Sequence, residues 1–283
     1  MIKNLYQLTK PGLVYGNLIT AAAGFFLVAG TAVSWPLLIA SLLGLGLIIA
    51  SAGVFNNYYD RGLDAKMSRT KNRPLVTGAV SPGAALAWGL TLLILGLAIL
   101  SGWAGRLPLE VAILGFVIYV FCYTPLKHKS AAATLVGSLA GATPILTGYT
   151  AISGRLDGGA LILFLVLACW QMPHFYAIAI YRLNDYAAGG VPVLPVKQGI
   201  AAARRQMLAY WLAFMLACLA LAYFGYAGKV YAAGALLLGL LWLWQFRRGF
   251  AANAAVWARR LFLYSLVVLT GLSIFLALGN ILP

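Results

Sequence analysis

Long apolar runs, separated by short turn-rich breaks, constrain this chain more than any other feature. They lie at about 14–34, 36–57, 83–102, 108–125, 132–152, 159–181, 207–227, 230–246 and 261–281. Each is about as long as a helix must be to cross a hydrocarbon core of ~30 Å. No water satisfies the backbone there, so a spanning segment is either a helix or part of a closed barrel. Barrel strands would alternate polar and apolar residues, and these runs do not. The breaks carry turn chemistry: Ser34-Trp35-Pro36, Gly105-Arg106-Leu107-Pro108, Gly154-Arg155-Leu156-Asp157-Gly158 and Ala227-Gly228-Lys229. The pattern predicts an all-α polytopic membrane protein: nine transmembrane helices in a single domain over 1–283. Small residues within the runs, such as Gly44, Gly46, Gly137 and Gly141, suit close helix contact in lipid.

Hydrophobic residues make up 63% of the chain and charged residues 9%. That balance excludes a soluble domain of this length. The formal net charge of +15 does not indicate a nucleic-acid partner, because the basic residues fall in short clusters between apolar runs. They report topology instead, and they suit the headgroups of an anionic bilayer. Of the 20 Lys and Arg, only Arg106, Arg155 and Lys229 fall on the minority side. The positive-inside rule then places the N-terminus in the cytoplasm and the C-terminus outside. Cys122, Cys169 and Cys218 lie in apolar runs with no metal-ligand spacing and read as small hydrophobes. No cleavable signal or Arg-rich transit segment is expected, which makes a bacterial cytoplasmic (inner) membrane the natural setting.

Against this background the 5 acidic residues stand out. Two sit four apart in Asn56-Asn57-Tyr58-Tyr59-Asp60-Arg61-Gly62-Leu63-Asp64, at the cytoplasmic end of the second run. Arg69-Thr70-Lys71-Asn72-Arg73-Pro74 follows closely. On a helix Asn57, Asp60 and Asp64 fall within about one quadrant and can converge on one cation. Mg²⁺ suits such a set, since it takes oxygen ligands and is completed by water and substrate phosphates. The basic residues would then grip the phosphate oxygens that the metal leaves free. The plainer alternative pairs Asp60 and Asp64 with Arg61 or Lys66 as ordinary interfacial charges. Asp185, in Tyr181-Arg182-Leu183-Asn184-Asp185-Tyr186, is the other cytoplasmic acid and can meet Asp60 and Asp64 in one cavity mouth. Glu110 and Asp157 fall on the opposite side and read as structural.

His174 lies about two turns inside the membrane, beside Pro173, which removes a backbone donor and is expected to kink its helix. An ionisable residue at that depth is a functional candidate. The alternative is a histidine satisfied by a neighbouring carbonyl. His128, in Lys127-His128-Lys129, reads as solvated or headgroup-facing.

The span-two pattern, with its downstream Arg-Thr-Lys-Asn-Arg-Pro, resembles the intramembrane aromatic prenyltransferase superfamily. Several further segments are similar to its protohaem IX farnesyltransferase (haem O synthase) branch. They are Thr9-Lys10-Pro11-Gly12, Gly16-Asn17-Leu18-Ile19-Thr20, Tyr123-Thr124-Pro125-Leu126-Lys127 and Gly141-Ala142-Thr143-Pro144. Most specific is Trp170-Gln171-Met172-Pro173-His174-Phe175, running on to Asp185-Tyr186 and Val193-Leu194-Pro195-Val196. The resemblance covers residues from about 7 to about 265.

It implies farnesyl diphosphate and haem B as substrates and Mg²⁺ as cofactor. It implies metal ligands Asp60, Asp64 and Asp185, with Asn57 as a neutral oxygen ligand. Lys66, Arg69, Lys71, Arg73, Tyr123, Lys127 and Arg182 become candidate diphosphate grips, with Lys127 and Arg73 foremost. His174 and Trp170 fall on the haem side. A haem A synthase or terminal oxidase becomes a candidate assembly partner. Two departures stand beside this. Asn57 replaces the Asp usual in quinone-type relatives, and the span-six motif has the single Asp185, with Tyr181 and Gly189 four residues to either side. A quinone-type acceptor, a non-catalytic haem carrier and a structural oxidase subunit remain the alternatives.

Overall fold

The structure is a computed structural model describing residues 1–248 and 253–278. Among them are nine helices long and apolar enough to cross a membrane. Spans one to nine are Pro11–Ala29, Trp35–Asp64, Pro82–Ala104, Arg106–Leu126, Ala133–Ser153, Gly158–Tyr181, Leu194–Tyr223, Lys229–Arg247 and Ala254–Leu278. The end of the ninth predicted run, 279–281, lies outside the described residues.

Three differences from the predicted spans have local causes. Span two continues through Asp64, so both carboxylates sit on its last turns. Span seven begins at Leu194, well before the predicted 207, because its first turns carry Lys197, Arg204 and Arg205 and so escape a hydropathy reading. Gly199 interrupts it with φ 79°, a backbone conformation open to glycine. Span five is two helices, Ala133–Gly141 and Thr143–Ser153, with Pro144 in the first turn of the second. Pro173 sits inside span six without ending it.

Consecutive spans are neighbours throughout, and span nine returns to span one, so the bundle closes on itself. Small residues bring the backbones together. A methyl group at Gly24 or Gly148 would collide with the Ile145 or Ala21 carbonyl, which binds span one tightly to span five. The main apolar core joins span one to spans five to nine. Large exposed side chains such as Leu43, Ile94, Phe121 and Leu212 face outward, as lipid contact requires.

The short N-terminal helix Ile2–Leu8 positions the site most directly. It reaches span two at Gly53, where a methyl group would come 2.8 Å from the Thr9 carbonyl. Lys10 follows with φ 53°, the one non-glycine residue at positive φ among those described. A lysine pays strain for that conformation, of about 1–3 kcal/mol. Pro11 then starts span one.

Candidate functional site: a charged mouth over an apolar chamber

The ends of spans two, four and six surround a cavity of about 1170 Å³, lined by Lys10, Asn56, Asp60, Asp64, Arg69, Arg73, Tyr123 and Lys127 among others. Asp60 is fully buried. One of its oxygens accepts from the Lys127 ammonium, and the other lies 3.0 Å from Nε2 of His128. Asp64 accepts from Arg73 at 2.6 Å. The interfacial pairing with Arg61 or Lys66 is therefore not what the structure contains. Arg61 donates to the Tyr58 carbonyl at 2.8 Å and lies over the Tyr58 ring.

The Lys10 ammonium donates to Oδ1 of Asn56, whose Nδ2 donates to Thr124 at 2.9 Å. Burial lowers Lys10 from the ordinary lysine value to about 7. Arg73 and Lys127 add repulsion, and Asp60 and Asp64 oppose it. Span four supplies Tyr119 and Tyr123 from a π-helical stretch, Ile118–Tyr123. There the Thr124 N–H and hydroxyl both reach the Tyr119 carbonyl. Such wide turns recur at functional sites because they redirect side chains.

Of the predicted grips, Arg69, Arg73, Tyr123 and Lys127 line this cavity, whereas Lys66, Lys71 and Arg182 do not. Lys66 and Lys71 are exposed. Arg182 stacks on Tyr181 at 4.4 Å. Lys10, Asn56, Thr124 and His128 were missing from the predicted site. His128 faces Asp60, packs 5.5 Å from the Tyr59 ring and keeps part of its side chain exposed. The turn after span four folds over the end of span two, and no local pattern announces that.

The expected meeting of three aspartates is not found. Among the described residues no three acidic, His or Cys side chains are grouped to hold a metal. Asp185 belongs to a separate short helix, Leu183–Ala188, and accepts from the Ser68 hydroxyl at 2.6 Å. Its nearest cation, Arg182, is 4.0 Å away. Asp185 thereby ties the loop after span six to the loop after span two. The remaining donor set still suits a hard divalent cation, with two carboxylates on one wall and space for water and phosphate oxygens. Asn57 is absent from the lining, yet its Nδ2 donates to the Leu8 carbonyl at 2.7 Å and its Oδ1 is buried without a partner. An amide oxygen with unspent acceptor capacity, on the same helical face as the carboxylates, fits such an ion.

Deeper in the bundle is a second cavity, of about 1020 Å³. No charged side chain is in its lining, which includes Asn17, Thr20, Phe116, Gln171, Trp170 and His174. His174 stacks on Trp170, ring centroids 4.8 Å apart, and its Nδ1 lies 2.6 Å from the Ser265 hydroxyl. The carbonyl-bonded histidine of the plainer reading is thus not what forms. Leu13, Tyr119 and Phe175 line both cavities, so the two adjoin across these three side chains.

A closed helical bundle with a carboxylate-and-cation mouth above an apolar chamber defines an intramembrane protein built for an amphiphile with an anionic head. Residues 17–267 match the UbiA prenyltransferase family, and the chain belongs to that family. It is 46% identical to a protoheme IX farnesyltransferase of Photorhabdus laumondii, over 100% of this chain and 97% of that one. It is also 46% identical to a protoheme IX farnesyltransferase of Yersinia enterocolitica, over 100% and 96%. In fold it is similar to digeranylgeranylglyceryl phosphate synthase, with TM-score 0.80, 15% identity and coverage of 99% and 98%. A UbiA homologue from Archaeoglobus fulgidus bound to GPP and Mg²⁺ gives TM-score 0.73 at 15% identity, over 96% and 99%.

Proposed function

We propose that this multi-pass protein of a bacterial inner membrane transfers the farnesyl group of farnesyl diphosphate to a vinyl group of haem B. Water is added, and haem O and diphosphate are released. The observation that carries this reading is the adjoining pair of cavities, one charged and one apolar, meeting at Leu13, Tyr119 and Phe175. The diphosphate belongs in the charged mouth, where Lys127, Arg73, Arg69 and Lys10 offer donors to its oxygens. The isoprenoid and the porphyrin belong in the chamber. The relatives named protoheme IX farnesyltransferase support these two substrates.

Mg²⁺ held by Asp60 and Asp64, with Asn57 Oδ1 as a further ligand, would neutralise charge on the departing diphosphate. The Archaeoglobus fulgidus homologue bound to GPP and Mg²⁺ supports that cofactor. The chain's own residues do the rest. Lys127 and Arg73, already beside the two carboxylates, stabilise the leaving group as the allylic C–O bond breaks and its electron pair goes to diphosphate. Tyr119 and Phe175 screen the allylic cation from water at the boundary. The vinyl π pair forms the new C–C bond, leaving a cation conjugated with the porphyrin. Water captures that cation and releases one proton, giving the hydroxyethylfarnesyl side chain.

The test is turnover of purified protein with Mg²⁺, farnesyl diphosphate and haem B, read by product mass. A product heavier than haem B by one farnesyl group plus one hydroxyl group is the expected result. Prenylation of an aromatic acid instead would move the chain to a quinone-type acceptor.

A further inference from the structure

The contacts around His174 bear on which of its nitrogens carries the proton. Ser265, on span nine, has one hydroxyl hydrogen, and the hydroxyl donates to the Phe262 carbonyl at 2.6 Å. The same oxygen lies 2.6 Å from His174 Nδ1. With its hydrogen on the Phe262 carbonyl, the hydroxyl is left to accept from the ring, an arrangement that calls for a proton on Nδ1. A neutral imidazole in that tautomer holds its lone pair on Nε2. Nε2 has no partner among the described residues, and the ring lines the chamber.

Ser265 also holds the neighbouring turn of span six. Its carbonyl accepts from Trp170 Nε1 at 3.1 Å, and Trp170 stacks on His174 with an interplanar angle of 26°. Phe262 also packs against the imidazole, ring centroids 5.1 Å apart. One serine therefore meets the ring through its side chain and holds the stacked partner through its backbone.

The tautomer separates two ways of meeting haem. A propionate needs an N–H donor from the chamber-facing nitrogen. An iron needs a lone pair there. We propose that Ser265 is a positioning residue that holds His174 as the Nδ1–H tautomer and presents Nε2 as an axial ligand to the iron of bound haem. This rests on the haem reading above. It follows the usual logic of metal-bound histidine, whose second nitrogen donates to an oxygen that sets the ring's orientation and basicity.

The experiment uses the full chain in detergent, with haem B and no farnesyl diphosphate. Resonance Raman of the ferrous complex reads the iron–histidine stretch, and a titration reads affinity. Wild type should show the stretch and His174→Ala should lack it. Ser265→Ala should shift the stretch and weaken haem binding by about 10–100-fold, with Ser265→Thr restoring both. Unchanged stretch and affinity in Ser265→Ala would overturn the positioning role. A stretch that survives in His174→Ala would overturn the ligand assignment. Absence of saturable haem binding by wild type would instead sink the haem reading itself. One measurement needs no variant: the chain has 2 histidines, and ¹⁵N shifts of labelled wild type report each tautomer. A proton on Nε2 of His174 would end the proposal even if Ser265→Ala did not fold.

Discussion

Asp157 lies at the start of span six, and its partners come from close by. It caps the helix by accepting from the Ala160 N–H at 3.1 Å, and it also accepts from the Tyr149 hydroxyl at 2.7 Å and Arg155 at 3.0 Å. Asp60, at the opposite end of the bundle, draws its partners from across the chain: Lys127 and His128, more than sixty residues away. Asp157 stands among local donors on a surface turn. Asp60 stands at a cavity, held by the Lys127 ammonium, which a phosphate would also recruit, and by His128. Glu110 belongs with Asp157, since it forms an exposed i,i+4 pair with Arg106. The difference is in what the partners are. A capping carboxylate has its acceptors engaged by the fold, whereas Asp60 and Asp64 accept from Lys127 and Arg73, side chains that also line the cavity.

The largest expected effect breaks this comparison at Asp60. Asp60→Asn should lower kcat by on the order of 10²–10³-fold, the loss typical of removing one electrostatic stabiliser. Retention of full activity with Mg²⁺ and farnesyl diphosphate would put Asp60 in the same class as Asp157. Thermal stability measured alongside separates loss of chemistry from loss of fold.

Lys10 gives a smaller and more specific test. A charge-assisted bond is worth roughly 1.5–3 kcal/mol, so Lys10→Met should weaken farnesyl diphosphate binding by about 10–100-fold. The pH dependence has a definite sign. Lys10 is held down to about 7 by burial and by Arg73 and Lys127. A base lowered in the folded state binds fewer protons folded than unfolded, so stability rises as pH climbs from about 7 towards the ordinary lysine value. Lys10→Met should flatten that rise in a denaturation series. Binding of a diphosphate re-protonates Lys10, so wild type should take up a proton on binding at pH 8, and the variant should not. Calorimetry in buffers of different ionisation enthalpy reads this directly. Equal proton uptake in both proteins would remove Lys10 from the diphosphate site.

How much of this was legible beforehand differs between the same two regions. The spans were visible because hydropathy is local, and the first turns of span seven were missed because they are polar. Asp60 and Asp64 were visible because acids are rare and both sit on one helical face. Of the Asn56–Asn57 pair the sequence reading selects Asn57, whereas Asn56 is the one that lines the cavity. The choice of Asn56 for the lining follows from Lys10 and Thr124, which reach it from 46 and 68 residues away. His128 reads from the sequence as solvated or headgroup-facing, and Lys10 as cytoplasmic charge within the Thr9-Lys10-Pro11-Gly12 segment. Their roles depend on a turn folding over span two and a helix docking at Gly53, and long-range packing of that kind leaves no periodic signature. Asp185 shows the converse: its sequence position suggested the cavity, and a separate short helix takes it to Ser68 instead.

The smallest expected effect lies at the other end of the bundle and sharpens the contrast. Removing an N-cap acceptor costs about 1 kcal/mol, so Asp157→Ala should lower stability by that order while leaving kcat and diphosphate affinity unchanged. Asp157 is held below the ordinary carboxylate value. Burial works against that shift, and Tyr149, the Ala160 N–H and Arg155 outweigh it. A carboxylate lowered in the folded state adds stability above its unfolded value, and that contribution is lost as pH falls through the folded one. Wild type should therefore lose its advantage over Asp157→Ala on acidification below about pH 4, in a matched denaturation series. An activity defect in Asp157→Ala at unchanged stability would mean that the two ends of the bundle are coupled, and that the capping carboxylate acts on the site through span six.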